Sequence, residues 1–192
     1  MKPDVFVFSL DSINNQGARD FAVNLVNWSR SNAGKPVRVE FNSGGGNILD
    51  GLFLYEKLNW LRAQGHHLTG VAYGRMASSA AWLLQACDWR IIGTQSWLLV
   101  HEVQSRAEGP ISSVRRELER MIALQEQTTR ILTSRTQGRL VSETIGRHID
   151  GGRDWWIAAA EAYELGLVDE IETVKPFAGK LADETAAPPQ AA

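Results

Sequence analysis

Val37-Arg38-Val39-Glu40-Phe41-Asn42-Ser43-Gly44-Gly45-Gly46-Asn47-Ile48 carries the reading of the fold. Its first five residues alternate apolar with charged side chains, the period of a strand with one buried face. Ser43 to Asn47 turns the chain, and from Ile48 the residues Leu52, Leu54, Tyr55, Leu58 and Leu61 mark a helix that ends near Gly65. His67 to Tyr73 then returns as a strand. The same unit stands upstream. Val5-Phe6-Val7-Phe8-Ser9-Leu10 is short, β-branched and aromatic, and Ala18, Phe21, Ala22, Leu25, Val26 and Ser29 recur at helical steps. They predict an amphipathic helix over about residues 16–33, stopped near Gly34 and Pro36. Repeated short β-α units predict an α/β fold with a mainly parallel sheet and helices packed against it.

Downstream, a helix of small residues is expected from Ser78 to Cys87, followed by the apolar strands Trp89-Arg90-Ile91-Ile92 and Trp97-Leu98-Leu99-Val100. From Ile111 to Thr136 there is neither Pro nor Gly. Val114, Leu118, Met121, Ile122, Ile131 and Leu132 form a discontinuous stripe there, among ion pairs such as Arg115 with Glu119. One long helix follows, about 35–40 Å at 1.5 Å per residue. Either part of it projects and finds apolar cover in another subunit, or it lies flat across its own domain. Residues 1–174 read as one domain, and the stretch from Lys175, ending Ala186-Ala187-Pro188-Pro189-Gln190-Ala191-Ala192, is expected to be a disordered tail.

Composition narrows the function classes. The chain has 192 residues, 44% of them hydrophobic, enough apolar surface for one substantial core. Twenty Lys and Arg against 22 Asp and Glu give a net charge of −2, and no long basic block offers to follow a phosphate backbone, so nucleic-acid binding is not expected. The single cysteine, Cys87, cannot form an internal disulfide, and zinc-type Cys/His spacings are absent. No signal-like or membrane-length apolar run exists. A soluble, cytoplasmic protein is expected.

Four segments can carry chemistry. Gly74-Arg75-Met76-Ala77-Ser78-Ser79-Ala80-Ala81 lies between a strand and a helix, where unpaired N–H groups favour negative charge. Ser78 or Ser79 there is a nucleophile or an ordinary N-cap. His101 ends the apolar run from Trp97, which brings its imidazole to the sheet end where sites of parallel α/β folds gather, unless it is merely a solvent-facing histidine. The glycines 44–46 allow close approach to backbone amides and supply an oxyanion donor or a plain turn; with no Gly-Lys-Ser/Thr following, a nucleotide loop is excluded. Asp154 stands beside Trp155 and Trp156, which can shield a carboxylate bonded to an imidazolium; otherwise it is an N-cap or a partner of Arg153. His66 and His67 are expected on opposite faces of a strand, Cys87 as a buried small residue, and His148, near Asp150, as a weak competitor for the base.

In order and context these segments resemble the ClpP family of serine peptidases, the proteolytic subunits of Clp proteases, within the ClpP/crotonase fold. Asn42-Ser43-Gly44-Gly45-Gly46 is similar to the family's Asn-Ser-Pro-Gly-Gly turn, and Gly74 to Ala81 to its Gly-x-Ala-Ala-Ser-Met-Gly-Ala nucleophile segment, with the serine at Ser78. Leu98-Leu99-Val100-His101 resembles the strand ending in the catalytic histidine. Arg153-Asp154-Trp155-Trp156 resembles the Arg-Asp-aromatic segment, and Ala159 to Asp169 follows the closing helix and strand. The likeness runs from about Val5 to Ile171.

The resemblance implies a hydrolase, a serine endopeptidase in which Ser78 attacks, His101 takes its proton, Asp154 orients the imidazole, and the N–H groups of Gly45 and Ser79 hold the oxyanion, with no metal or organic cofactor. It implies a homo-oligomer of stacked rings, a heptamer or tetradecamer, with the Ile111–Thr136 helix as a projecting handle and unfolded chains or short peptides as substrate. An AAA+ unfoldase is the implied partner. Against that, no segment like the family's axial pore loops precedes Val5, which leaves open a stand-alone or phage-encoded, capsid-maturation type. The sequence departs from the family at Gly44 for Pro, at Ser79-Ala80 for Met-Gly, and after His101, where Glu102 to Gly109 lacks the Gln-Pro and glycine-rich pattern that aligns substrate as an added strand. Two other readings stand beside this one: a crotonase-like acyl-CoA enzyme, told apart by thioester turnover that survives Ser78→Ala, and a non-catalytic ClpP-like ring subunit, told apart by Ser78 and His101 lying far apart.

Overall fold

A computed structural model describes residues 3–173. Along the chain run β1 (Asp4–Leu10), α1 (Asn15–Ser31), β2 (Val37–Ser43), α2 (Ile48–Ala63), β3 (Leu68–Ala77), β4 (Trp89–Gly93), β5 (Trp97–Val100), α3 (Ile111–Thr133), α4 (Ser142–Ile149), β6 (Trp155–Ala158), α5 (Ala159–Glu164) and β7 (Glu170–Glu172). The seven strands form one sheet in which β1-β2-β3-β4-β7 run parallel in that order and β5 and β6 branch from β3. This is the mainly parallel α/β architecture expected from the repeated units. The stretch expected to be a disordered tail, from Lys175, lies outside the described residues.

Alternation in β2 puts Val37, Val39 and Phe41 in the core, and Phe8 of β1 meets the rings of Phe21 and Phe41 edge-on at 4.8 and 5.9 Å. Helix α1 starts where the Asn14 side chain accepts from the Gly17 N–H, and α2 where Asn47 accepts from Leu49 and Asp50. On the other face of β1, Val5 and Val7 remain exposed.

Strand β3 changes partners along its length. Thr69 to Ala72 pair with β4, whereas Arg75, Met76 and Ala77 pair with Trp97, Leu98 and Leu99 of β5. The change coincides with a bulge against β2, where Phe41 faces Ala72 but Ser43 faces Met76, and with Gly74 at φ +66°. Such a bulge re-aims the strand end beyond it. Strand β5 then pairs antiparallel with β6, Val100 facing Trp155.

The expected helix from Ser78 to Cys87 is not formed. Two 3₁₀ turns, Ser78–Ala80 and Leu83–Ala86, stand in its place, separated at Trp82. Ser78 has φ +54°, outside the helical region, and the segment threads between glycines that let it come close. A Cβ on Gly51 would lie 2.9 Å from the Trp82 ring, and one on Gly70 only 2.5 Å from Cys87 Sγ. Close tertiary packing overrides the helix propensity of the small residues.

Helix α3 combines the two courses open to it. Leu124, Thr128 and Leu132 are buried in the domain, while Ile111, Val114, Leu118 and Ile122 form an exposed stripe along the first half. Its ion pairs are Glu117 with Arg120 and Glu126 with Arg130 rather than Arg115 with Glu119. Acid before base is the favourable order on a helix, and Arg115 with Glu119 has the reverse. No helix among the described residues is long and apolar enough to cross a membrane.

Candidate active site

Three adjacent strand ends build the site. Ala77 faces Leu99 and Val100 faces Trp155 in the last pairs of their ladders. Ser78 directly follows Ala77, His101 follows Val100 and Asp154 precedes Trp155, so the three sit just beyond neighbouring strands spaced about 4.8 Å apart. Topology thus gathers residues that the sequence scatters over 77 positions.

Ser78 occupies the left-handed region, costly for a residue with a Cβ and held only where the surroundings over-determine it. The surroundings are the glycine turn. Gly45, at φ +87°, abuts the nucleophile segment so closely that a Cβ there would sit 2.6 Å from Ser78 Cβ and 3.1 Å from the Ser79 nitrogen. Ile13 straps the turn from outside, donating to the Gly45 carbonyl at 2.5 Å while its own carbonyl accepts from Asn47 at 2.8 Å. The Ser79 hydroxyl donates to Gly46 O at 3.2 Å. The two amides expected to hold an oxyanion are therefore neighbours. Ser79 N–H lies in the first turn of its 3₁₀ segment, where no intrahelical acceptor exists, and Gly45 N–H donates to Ser43 Oγ at 3.2 Å.

Ser78, Ser79 and His101 line a cavity of about 570 Å³. Its lining includes the apolar Trp82, Val100 and Leu132, Gly44 and Gly46 with the start of α2, and the segment from Glu102 to Ser105. The His101 ring donates from Nδ1 to the Glu102 carbonyl at 2.5 Å, because a carbonyl can only accept. In the neutral ring this places the lone pair on Nε2, the tautomer a general base requires.

Asp154 lies at the strand end but is exposed. The tryptophans expected to shield it do not, since successive strand residues turn to opposite faces: Trp155 goes into the core and Trp156 out to solvent. Arg153 is no partner of Asp154 either; it donates to the carbonyls of Asp150 and Arg147. The remaining histidines have structural posts. His66 and His67 precede β3 instead of lying in a strand; His66 is buried between Ser29 Oγ and Lys35 O, and His67 is exposed. His148 stacks on Trp155, ring centroids 4.0 Å apart, and donates to Thr144 O. Cys87 is fully buried, which pushes its thiol up to about 12.

A family model described as Clp protease matches residues 2–175. The chain belongs to the Clp protease family. It is similar to curated ATP-dependent Clp protease proteolytic subunits, at 31% identity in Chlorella vulgaris (71% of this chain, 66% of the relative) and 29% in Oltmannsiellopsis viridis (72% and 69%). A third, from Pleurastrum terricola, is 27% identical over 85% of this chain and 81% of its own length. As in the Clp protease family at large, a serine peptidase chemistry is the family's activity. Sequence reasoning missed Gln125 and Glu117 on α3, which hold the segment after His101: Gln125 Oε1 accepts from Val103 N–H at 2.7 Å, and Glu117 Oε1 from Ser105 Oγ at 2.7 Å. No local pattern marks contacts spanning 22 and 12 residues.

Proposed function

We propose that this chain is a serine endopeptidase that hydrolyses peptide bonds of unfolded proteins or short peptides inside an oligomeric chamber. Ser78 Oγ attacks the scissile carbonyl, His101 Nε2 takes the hydroxyl proton and later returns it to the leaving amine, and Asp154 stabilises the imidazolium. Gly45 and Ser79 amides hold the tetrahedral oxyanion, Gly45 after exchanging Ser43 Oγ for it; one such donor is worth about 2.7–4 kcal/mol in the barrier. The observation that carries the reading is Ser78 itself: a left-handed serine at a strand end, pressed against a glycine turn and opening on a cavity shared with His101.

The chamber is proposed to be stacked rings, heptameric or tetradecameric, joined through the exposed stripe of α3. Val5 and Val7 on β1, and Trp97 with Trp156 on one face of the β5–β6 ladder, are further apolar surface that assembly would cover. The printed names of the relatives are those of ATP-dependent proteases, so an AAA+ unfoldase is the proposed partner class. A cytoplasmic setting is proposed with it, in keeping with a lone, buried thiol.

A second reading, a non-catalytic ring subunit, is favoured by the exposure of Asp154. One experiment separates them. Size-fractionated wild-type and Ser78→Ala protein are compared for peptide hydrolysis and for labelling by a fluorophosphonate; the endopeptidase is expected to cleave and to be labelled at Ser78 only in the wild type. Neither activity in any assembled fraction would leave the scaffold reading.

A further inference from the structure

His101 directly follows β5, and residues 101–108 take no helical or strand conformation. What fixes the imidazole is therefore a set of individual hydrogen bonds. Its Nδ1–H donates to the carbonyl of Glu102 at 2.5 Å. That carbonyl belongs to the same peptide unit as the Val103 N–H, which donates to Gln125 Oε1 at 2.7 Å. A peptide unit is planar, so grasping its N–H sets the direction of its C=O. Gln125 is itself oriented, since its Nε2 donates to Thr129 Oγ1, one turn further along α3, at 3.2 Å, and this turns the amide oxygen to Val103.

We propose that Gln125 is a positioning residue for His101: through the rigid Glu102–Val103 peptide unit it aims the carbonyl that holds the proton on Nδ1 and leaves Nε2 as the base. The proposal rests on the endopeptidase reading for its kinetic consequence, but not for its geometry. Gln125 also lines the cavity, so a role in substrate binding must be separated from positioning. Binding would show in KM. Positioning shows in kcat and in the pH dependence of kcat/KM, because the wrong tautomer is a wrongly placed base.

The test compares Gln125→Leu, which removes the acceptor at similar volume, with Gln125→Glu, which keeps an acceptor, and Thr129→Val, which frees the amide without touching the cavity. Readouts are hydrolysis of a fluorogenic peptide and hydrogen exchange of the Val103 amide in the full-length assembled protein. Gln125→Leu is expected to lower kcat about 10-fold with KM within about 2-fold, to shift the pH profile and to expose the Val103 amide to exchange. Gln125→Glu recovers most of the rate and the protection, and Thr129→Val shows a smaller loss in the same direction. A Gln125→Leu protein with wild-type kcat and pH profile overturns the proposal, as does a loss confined to KM or a Gln125→Glu protein as impaired as Gln125→Leu. Should Gln125→Leu fail to fold, Gln125→Glu and Thr129→Val decide by the same readouts. If the wild type proves inactive, the endopeptidase reading fails separately, and a Val103 amide that exchanges equally in all four proteins overturns the positioning role.

Discussion

The two halves of the candidate site are held in different ways. On the nucleophile side, Ser78, Gly45 and Ser79 are fixed by backbone: a bulged strand, a left-handed serine, a glycine turn strapped by Ile13, and contacts too close for any added Cβ. On the proposed base side, His101 directly follows and Asp154 directly precedes a short strand of four residues, and side-chain hydrogen bonds from α3 supply what the backbone does not. Covalently connected packing resists displacement because every shift compresses a neighbour, whereas a single hydrogen bond can be exchanged for another at a net difference of about 1 kcal/mol. The proposed nucleophile is thus held by packing, and the proposed base half is adjustable.

The largest effect should come from attacking the rigid half. Gly45→Ala places a methyl against Ser78 and forces a residue with a Cβ to φ +87°. It both displaces the proposed nucleophile and disturbs a proposed oxyanion amide, so fluorophosphonate labelling of Ser78 is expected to slow by about 1,000-fold or more. A Gly45→Ala protein that is labelled at the wild-type rate would show that the turn is mobile and would break the comparison.

Next in size is Asp154→Asn. Where a buried carboxylate alone holds the histidine tautomer, this change costs about 10,000-fold. Here the Glu102 carbonyl already accepts the Nδ1 proton, so the exposed Asp154 is expected to contribute mainly charge, and a fall in kcat nearer 100-fold is expected. Measuring kcat for peptide hydrolysis sharpens the distinction between the halves. The full loss would mean that Asp154 displaces the carbonyl during turnover, and no loss would remove the carboxylate from the mechanism.

What could be read from sequence follows the same division. The strand, turn and helix of residues 37–63 were legible because alternation, glycines and 3.6-residue periodicity are local, and the parallel order of β1, β2 and β3 follows because right-handed parallel units leave few topologies. The Ser78–Cys87 segment was misread as a helix because its conformation is imposed by Gly51 and Gly70, distant in sequence. The exposure of Asp154 was misread because neighbouring tryptophans suggest shelter only until strand alternation sends them to opposite sides. Gln125 had no signal at all: a glutamine on a polar helix face is ordinary until the segment it grasps is seen.

A smaller effect on catalysis, and none on the fold, is expected at the exposed stripe. Leu118→Arg adds a charge at a half-exposed position of α3 and touches no part of the core. Its thermal unfolding should stay close to wild type, while sedimentation shifts to smaller species if rings stack through this face. Unchanged sedimentation would remove α3 as the contact; a large loss of thermal stability would mean that the stripe belongs to the fold of the single chain.

The smallest effect tests how the adjustable half is tethered. Hydrogen bonds from Arg120 and then from Ser105 hold the Glu117 carboxyl down from its ordinary 4.5 to about 2. A folded value below the unfolded one means that the tether is fully in place above about pH 4.5 and is lost as pH falls toward 2. Because the group is open to solvent, salt screens the Arg120 part, and no appreciable global stability rides on it. Amide exchange near Ser105, corrected for its intrinsic pH dependence, should stay constant from pH 7 to about 4 and rise below that. Ser105→Ala removes the tether itself, so exchange near residue 105 should be raised across the whole range with no onset near pH 4, while Val103, held by an uncharged glutamine, keeps its protection. If both amides lose protection together, the segment after His101 moves as one body and Gln125 cannot hold the imidazole alone; if only Ser105 responds, the two anchors are independent and the one at Val103 governs the base.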